Sequence, residues 1–185
     1  MRVIAGEARS LLLDTPKGDG TRPTTDRIKE TLFNMIQTDF PGGIFVDLFA
    51  GSGAIGIEAL SRGAKKAYFV ENGREALDCI ERNLKHTKLI DKAVILRQDA
   101  ITAIGYGIRE HIDVLFCDPP YGKGYDEMIL NAALKNAAID EDTLIIIEEL
   151  KDTDFSYALD MGYRIKKEKI YKSNKHVFLY KSTAC

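Results

Sequence analysis

Short apolar segments alternate with amphipathic segments over most of the chain. From residue 44 onward, β-branched and aromatic runs lack a polar alternation, which is typical of strands buried on both faces. These runs predict strands at Ile44–Leu48, Ala67–Glu71, Ala93–Arg97, Ile112–Cys117 and Thr143–Glu148. Helical patterns between them predict helices at Ala54–Arg62, Arg74–His86 and Tyr125–Ala137, and a short helix could lie within Asp99–Arg109. The alternation indicates an α/β fold with a doubly wound parallel sheet.

The N-terminal region departs from this alternation. Residues 1–20 are interpreted as a short hairpin, and Thr24 or Thr25 is a candidate N-cap for a helix that runs to about Thr38. The 185 residues are enough for one complete core, but a second full-sized domain would be cramped. We therefore expect a single domain, with an N-terminal extension at residues 1–40 and a catalytic core at residues 41–185.

Composition excludes several classes of protein. Lys and Arg number 26 against 28 Asp and Glu, and 45% of the residues are hydrophobic, so the chain is not a disordered polyelectrolyte. Cys79, Cys117 and Cys185 lie far apart and fit neither a disulfide framework nor a zinc site, and the three histidines show no metal spacing. No apolar run approaches the ~18 residues of a membrane span. We expect a cytoplasmic protein that binds no metal and no membrane.

The first predicted strand leads directly into a glycine-rich turn and a helix. Glycine lets the backbone approach a ligand closely, and the first turn of a helix presents free N–H groups. Residues 51–56 match the dinucleotide pattern G-x-G-x-x-G, which alone is a weak indication of an NAD site. We call the segment at residues 47–53 the glycine loop. Its candidate cofactor contacts are Asp47, Phe49, Ala50, Gly51, Ser52 and Gly53.

Acidic residues at strand ends modify this interpretation. Glu71 ends the second predicted strand, where a carboxylate can accept hydrogen bonds from ribose hydroxyls, and Asp99 follows the third, where it could accept from an adenine amino group. A lone acid at a strand end is usually just solvated. The charge of Asp47 would repel a diphosphate but favour a cationic sulfonium ligand with an ammonium group. The three acids therefore favour S-adenosylmethionine over NAD.

The fourth predicted strand ends in Asp118-Pro119-Pro120-Tyr121, which we call the proline corner. The two prolines stop the strand and fix its backbone, which leaves the Asp118 carboxylate and the Pro119 carbonyl as rigid acceptors. Acceptors aimed at an exocyclic amino group localise its lone pair and stabilise the positive charge that grows during methyl transfer. The Tyr121 ring can stack on a flat base. The sequence predicts a site for methylation of a nucleobase amino group here.

With these motifs in place, the chain resembles the RsmD-like bacterial methyltransferases, which modify the exocyclic N2 of a guanine in 16S rRNA. The resemblance covers Pro16–Gly18, Thr21–Arg27, Asp47–Gly53, Glu58–Gly63, Phe69–Glu71 and Asp118–Tyr121, and it departs from the family pattern at Ala8-Arg9-Ser10. It implies a seven-stranded Rossmann-like methyltransferase sheet with an N-terminal hairpin and helix and a C-terminal antiparallel hairpin. It also implies S-adenosylmethionine at Asp47–Gly53, Glu71 and Asp99, and the target guanine at Asp118–Tyr121.

The same resemblance assigns Thr24 to the donor side and Arg22 to the RNA side of the upstream block. It implies 16S rRNA as the partner, within the small ribosomal subunit or an assembly intermediate, and we expect the enzyme to act as a monomer. The alternatives are a DNA adenine-N6 methyltransferase with the same proline corner, and a non-catalytic RNA- or ribosome-binding module with a vestigial donor pocket. An NAD oxidoreductase would leave the proline corner unused.

Charge is unevenly distributed along the chain. Residues 164–181 hold seven basic residues and one acidic residue, which gives this segment a net charge of +6. Because the whole chain has a net charge of −2, the remaining residues together carry −8. Tyr163–Ile170 and His176–Lys181 are predicted to pair as an antiparallel hairpin. If its first strand runs parallel to the core strands, Lys169, Lys172 and Lys175 border the substrate site and meet phosphates. Lysines that protect a sheet edge are the alternative interpretation.

Overall fold

The computed structural model describes residues 1–16 and 26–182. Within these residues, the strands are β1 (Ile44–Asp47), β2 (Lys66–Glu71), β3 (Ala93–Arg97), β4 (Val114–Cys117), β5 (Leu144–Leu150), β6 (Tyr163–Ile170) and β7 (Asn174–Lys181). The helices are α1 (Asp26–Met35), α2 (Ala54–Ser61), α3 (Arg74–Thr87), α4 (Ala100–Thr102), α5 (Tyr125–Lys135) and α6 (Tyr157–Asp160). A 3₁₀ turn at Ile90–Lys92 precedes β3, and a π-helical turn at Ala103–Gly107 continues α4.

The strands form one seven-stranded sheet in the order β3-β2-β1-β4-β5-β7-β6. Strands β1 to β5 pair in parallel, whereas β7 runs antiparallel to both β5 and β6. The chain builds outward from β1 to β3 and then returns to place β4 on the other side of β1. Ligands of doubly wound sheets bind at the carboxyl ends of the strands where the order reverses, which here is between β1 and β4. The predicted Rossmann-like methyltransferase fold is confirmed.

The sheet is covered on both faces because its central strands carry unbroken apolar runs, such as all four positions of β4. Along β4, Val114 and Phe116 join the core beneath α2 and the N-terminal segment, while Leu115 and Cys117 join the core beneath α5. Successive side chains of a strand point to opposite faces, so an unbroken apolar run fills both layers. Polar residues follow these apolar runs at the carboxyl ends of the strands, as Asp47, Glu71 and Asp118 do for β1, β2 and β4.

The N-terminal segment packs on the helix that follows the glycine loop. Lys29 of α1 and Glu58 of α2 form a fully buried ion pair, 3.0 Å from Nζ to Oε2. Glu58 also accepts hydrogen bonds from the backbone N–H groups of Ile4 and Ala5. Gly6 has a φ of +82°, and a Cβ there would overlap the Ser61 carbonyl, so only glycine allows this approach. The segment is thus fixed to the core through α2.

The observed boundaries differ from the predicted ones by up to three residues. Strand β4 begins two residues after the predicted Ile112, β5 ends two residues after the predicted Glu148, and α5 ends two residues before the predicted Ala137. Helix α1 ends at Met35, three residues before the predicted Thr38, and its predicted cap at Thr24 or Thr25 lies outside the described residues. Strand β7 begins at Asn174, two residues before the predicted His176. Because β7 is antiparallel to both neighbours, β6 runs parallel to β5 and to the other core strands. This is the orientation under which the lysines at the end of β6 were expected to border the substrate site. In the described parts of the chain, no helix has both the length and the apolar character needed to cross a membrane.

Candidate active site

A cavity of about 820 Å³ opens at the carboxyl edge of the sheet, where β1 and β4 lie side by side. Its size is that of a small-molecule pocket. Among the described residues, its charged lining consists of five carboxylates and one lysine. They are Asp47, Glu71, Asp99, Asp118, Glu148 and Lys172. This excess of negative charge suits a cationic ligand and disfavours a diphosphate.

The glycine loop forms one wall of the cavity. Gly51 and Gly53 have φ values of +52° and +78°, in the left-handed region that favours glycine. The Gly53 N–H donates to the Ala50 carbonyl at 2.6 Å, and α2 begins at the next residue. At Gly56, a Cβ would overlap the Phe69 ring, so glycine lets α2 pack closely against β2. Of the predicted cofactor contacts in this loop, Phe49, Ala50, Gly51 and Ser52 line the cavity, whereas Gly53 does not.

Asp47 lies fully buried beneath this loop. Its Oδ2 accepts a hydrogen bond from the Gly56 N–H at 3.0 Å. Burial raises the pKa of Asp47 to about 7, with the charge of Glu71 acting in the same direction and the Gly56 hydrogen bond opposing both. A carboxylate held near its titration point gains from a nearby cation, which stabilises the ionised form.

Glu71 and Asp99 occupy the predicted positions at the ends of β2 and β3. Glu71 accepts hydrogen bonds from the backbone N–H groups of Gly51, Asn72 and Gly73. A carboxylate has roughly four acceptor positions, so about one remains for a ligand hydroxyl. Asp99 caps α4, accepting from the backbone N–H and the hydroxyl of Thr102, and these hydrogen bonds lower its pKa. Each acid therefore shapes the backbone while keeping acceptor capacity toward the cavity.

The proline corner follows β4 directly and faces the same cavity. Asp118, Pro119, Pro120 and Tyr121 all line it. Among the described residues, no group donates a hydrogen bond to the Asp118 carboxylate, which leaves its acceptor positions open. Burial raises the pKa of Asp118 to about 8, and the negative charges of Glu148, Asp47 and Glu149 add to this effect. The corner thus offers a rigid acceptor beside an aromatic ring.

A polar cluster behind Tyr121 was not singled out by the sequence analysis. The Tyr121 hydroxyl donates to Glu148 Oε1 at 2.6 Å, and His176 Nε2 lies 2.8 Å from Glu148 Oε2. Asn174 also donates its side-chain amide to Glu148. Glu148 ends a predicted strand and His176 begins another, so each looked like an ordinary strand residue. Only the β5–β7 pairing, which places the two directly opposite each other, brings them together.

The three candidate RNA-binding lysines have different environments. Lys169 and Lys172 are exposed, and Lys172 lies in the β6–β7 turn that borders the cavity. Lys175 is only 4% exposed, and its Nζ lies 2.8 Å from Glu168 Oε1 and over the Phe155 ring. The expectation that Lys175 meets a phosphate is therefore withdrawn, because its charge is buried against an acid of the neighbouring strand.

Two other predicted residues, Arg22 and Thr24, lie outside the described residues. Cys79 and Cys117 are buried free thiols. Over residues 1–16 and 26–182, no cluster of three or more His, Cys, Asp or Glu side chains is arranged to hold a metal ion.

Comparison with known proteins identifies relatives of this chain over most of its length. Residues 1–181 match the family described as "Conserved hypothetical protein 95". The Bacillus subtilis (strain 168) protein named "Putative rRNA methyltransferase YlbH" is 38% identical over 156 residues, covering 83% of this chain and 85% of that protein. "Ribosomal RNA small subunit methyltransferase D" of Haemophilus influenzae is 35% identical over 154 residues, covering 82% and 80%.

The solved structures agree with the sequence relatives. The structure described as "Putative methyltransferase yhhF from Escherichia coli" superimposes with a TM-score of 0.83 at 28% identity, and the match covers 100% of this chain and 99% of that one. The sequence match and the structural match therefore both extend over nearly the whole chain. This chain belongs to the RsmD-like methyltransferase family.

Proposed function

We propose that this methyltransferase transfers a methyl group from S-adenosylmethionine to the exocyclic N2 of a guanine in 16S rRNA of the small ribosomal subunit. The observation that carries the proposal is that the glycine loop and the Asp118–Tyr121 corner line the same cavity. Relatives named as small-subunit rRNA methyltransferases support the rRNA substrate. The guanine N2 target rests on the resemblance of the motifs to the RsmD-like family.

The residues around the glycine loop fit S-adenosylmethionine. When bound, this donor supplies an electrophilic methyl group on a positively charged sulfur. The loop backbone lets a ligand approach α2, and Asp47 faces the cavity with a pKa of about 7, so a cation stabilises its ionised form. Glu71 and Asp99 retain acceptor positions for ribose hydroxyls and an adenine amino group. The five carboxylates around the cavity disfavour the diphosphate of NAD.

The proline corner handles the acceptor base. The Asp118 carboxylate and the Pro119 carbonyl accept hydrogen bonds from the protons of the amino group, which keeps its lone pair available for attack. The ionised carboxylate also stabilises the positive charge that grows on the nitrogen. As the nitrogen–methyl bond forms, the sulfur–methyl bond breaks and leaves neutral S-adenosylhomocysteine, and the methylated nitrogen then gives up one proton to Asp118 or to water. Tyr121 offers its ring for stacking, and the remaining catalysis is alignment of the nitrogen with the methyl group. The base must leave its stack to reach this corner, which costs a few kcal/mol and least when it is unpaired.

The exposed lysines near the cavity are suited to the RNA backbone. Lys172 is exposed and lines the cavity, and Lys169 is exposed near the end of β6. Contacts with phosphates fix the orientation of RNA without reading its sequence. Recognition of one guanine would then come from the shape of a large RNA partner. Arg22 on the RNA side and Thr24 on the donor side remain predictions from the family resemblance.

A transfer assay with three acceptors tests the proposal. The chain is incubated with donor labelled in its methyl group and with naked 16S rRNA, assembled small subunits or duplex DNA. We expect label in an rRNA-containing acceptor and none in DNA. Label in DNA alone would identify the adenine-N6 alternative, since the same corner can hold an adenine amino group. Donor binding without transfer to any acceptor would favour the non-catalytic module.

A further inference from the structure

Two tyrosines that line the cavity are joined by a buried polar chain to which the mechanism above gives no role. The Tyr121 hydroxyl donates to one oxygen of Glu148 at 2.6 Å. The other oxygen lies 2.8 Å from His176 Nε2, and His176 Nδ1 lies 3.2 Å from the Tyr171 hydroxyl oxygen. A carboxylate only accepts, so Nε2 of the imidazole carries a proton. Glu148 and His176 therefore connect the proline corner after β4 to the turn after β6.

The pair lies where the sheet would otherwise continue its apolar core. His176 is fully buried and Glu148 is only 4% exposed. Leu144 and Ile146 precede Glu148 on the same face of β5, and Phe178 follows His176 on the same face of β7. A well-packed apolar pair is often at least as stabilising as a buried charged one. Stability of the sheet alone therefore does not account for a carboxylate and an imidazole at these two positions.

The surroundings of Glu148 favour the ionised form of its carboxylate. Burial acts to raise its pKa, but hydrogen bonds from His176, Tyr121 and Asn174 outweigh burial and lower it. Three donors converge on two oxygens, so the carboxylate cannot rotate without losing partners. The hydroxyl of Tyr121 is fixed by the same bonds, and the orientation of its ring is fixed with it.

We propose that Glu148 and His176 are positioning residues for methyl transfer, which fix the rings of Tyr121 and Tyr171 as two aromatic surfaces for the acceptor base. The inference rests on the proposed function, because it assumes that a base enters at the corner. Tyr121 comes from the corner itself and Tyr171 from the β6–β7 turn that also carries Lys172. The buried pair thus sets the distance between the catalytic corner and the turn that faces the RNA.

The pair also acts on Asp118 through its charge. Asp118 is faced by Glu148 and Glu149 from β5 and by Asp47 from β1, and these charges add to burial in raising its pKa. The ionised Asp118 is the form that accepts from the amino group. Loss of the charge on Glu148 should lower the pKa of Asp118 and move the acid limb of the kcat–pH profile to lower pH. A purely structural role would reduce the rate without moving that limb.

The test compares Glu148→Gln and Tyr171→Phe with two matched controls. Tyr157 donates its hydroxyl to the carboxylate of Asp126 at 2.8 Å, a tyrosine–acid pair that does not line the cavity. Asp126→Asn and Tyr157→Phe therefore make the same chemical changes away from the site. For each variant, kcat and KM are measured on small subunits over a range of pH, and the donor Kd is measured by calorimetry.

We expect Glu148→Gln to lower kcat by about 10- to 100-fold through misplacement of the rings, with the donor Kd changed by less than about threefold. Its acid limb should lie at lower pH than in the wild type. Tyr171→Phe should lower kcat by about threefold to tenfold, because only one bond of the chain is lost. Both controls should stay within about twofold of the wild type.

The outcomes separate this inference from the proposed function. If the wild type methylates the small subunit but Glu148→Gln and Tyr171→Phe behave as the controls do, the positioning role is wrong. An unchanged acid limb in an active Glu148→Gln variant would also overturn it. If Glu148→Gln does not fold, Tyr171→Phe and Tyr121→Phe decide the matter, since each removes only a hydroxyl. Failure of the wild type to methylate any rRNA substrate would instead overturn the proposed function.

Discussion

Replacement of the buried lysine of α1 should destabilise the fold strongly. The Lys29 ammonium lies 3.0 Å from Glu58 Oε2 and donates to the Arg2 carbonyl at 2.7 Å, with no exposed surface on either charged side chain. At that separation the Coulomb attraction is about 5–6 kcal/mol with an effective dielectric constant of 20. Burial of the ammonium opposes it and acts to lower the pKa of Lys29. Lys29→Met keeps the volume and removes the charge.

The contacts that Glu58 keeps place the expected loss of stability at the lower end of the range observed when buried ion pairs are broken. Such breaks cost about 3–5 kcal/mol. Glu58 retains a bond from Arg62 at 2.7 Å and two backbone N–H donors, so it is not left unpaired. We expect Lys29→Met to lower the free energy of unfolding by about 3 kcal/mol. For a chain of this size that corresponds to a fall in Tm of about 6–12 °C.

Denaturant unfolding of Lys29→Met is compared with Lys66→Met as the matched control. Lys66 pairs with Glu110 at 2.6 Å, but both side chains are about one-third exposed, so its loss should cost only about 0–1 kcal/mol. Hydrogen exchange should show faster exchange of the Ile4 and Ala5 amides, which Glu58 holds. Equal stabilities of the two variants would refute the reasoning about the buried pair.

Three further predictions concern the site. Asp118→Asn should lower kcat by about 100-fold or more with little change in the donor Kd, because it removes the charge on the acceptor; full activity on a confirmed substrate would contradict this role. Since a cationic donor favours ionised Asp47, calorimetry should show its affinity weakening as pH falls through about 7, by up to about tenfold per pH unit. Asp47→Asn should abolish that dependence, and a persistent slope would mean that another group titrates. Lys169→Ala and Lys172→Ala should each raise KM for small subunits and reduce the salt slope by about one, whereas Lys92→Ala, at the opposite edge of the sheet, should not; identical slopes in all three variants would exclude the turn from RNA contact.

The sheet and the main motifs could be predicted because their signals are local. An unbroken apolar run such as that at residues 114–117 must be covered on both faces wherever it lies, so the run itself indicates a central strand. The glycine loop and the proline corner likewise act through their own backbone. Asp47, Glu71, Asp99 and Asp118 meet because the carboxyl ends of parallel strands share one edge.

The residues that were missed or misplaced depend on strand order and on pairing. Glu148 and His176 meet only because β7 inserts antiparallel between β5 and β6, and no local pattern specifies that insertion. Lys175 lies in a basic stretch, yet it is covered by Phe155 and paired with Glu168 across the hairpin. The role of Asp99 as the cap of α4 is local by contrast, because Thr102 lies only three residues further along the chain. Charge along a sequence does not tell which face of a strand will be covered.

The most direct test of the account is the identity of the nucleoside that receives the methyl group. Small subunits methylated by the wild type are digested to nucleosides and analysed by mass spectrometry, with Asp118→Asn as the matched reaction. We expect N2-methylguanosine from 16S rRNA in the wild-type reaction and its loss in the variant. A methyl group on adenine N6, or on a guanine atom other than N2, would contradict it.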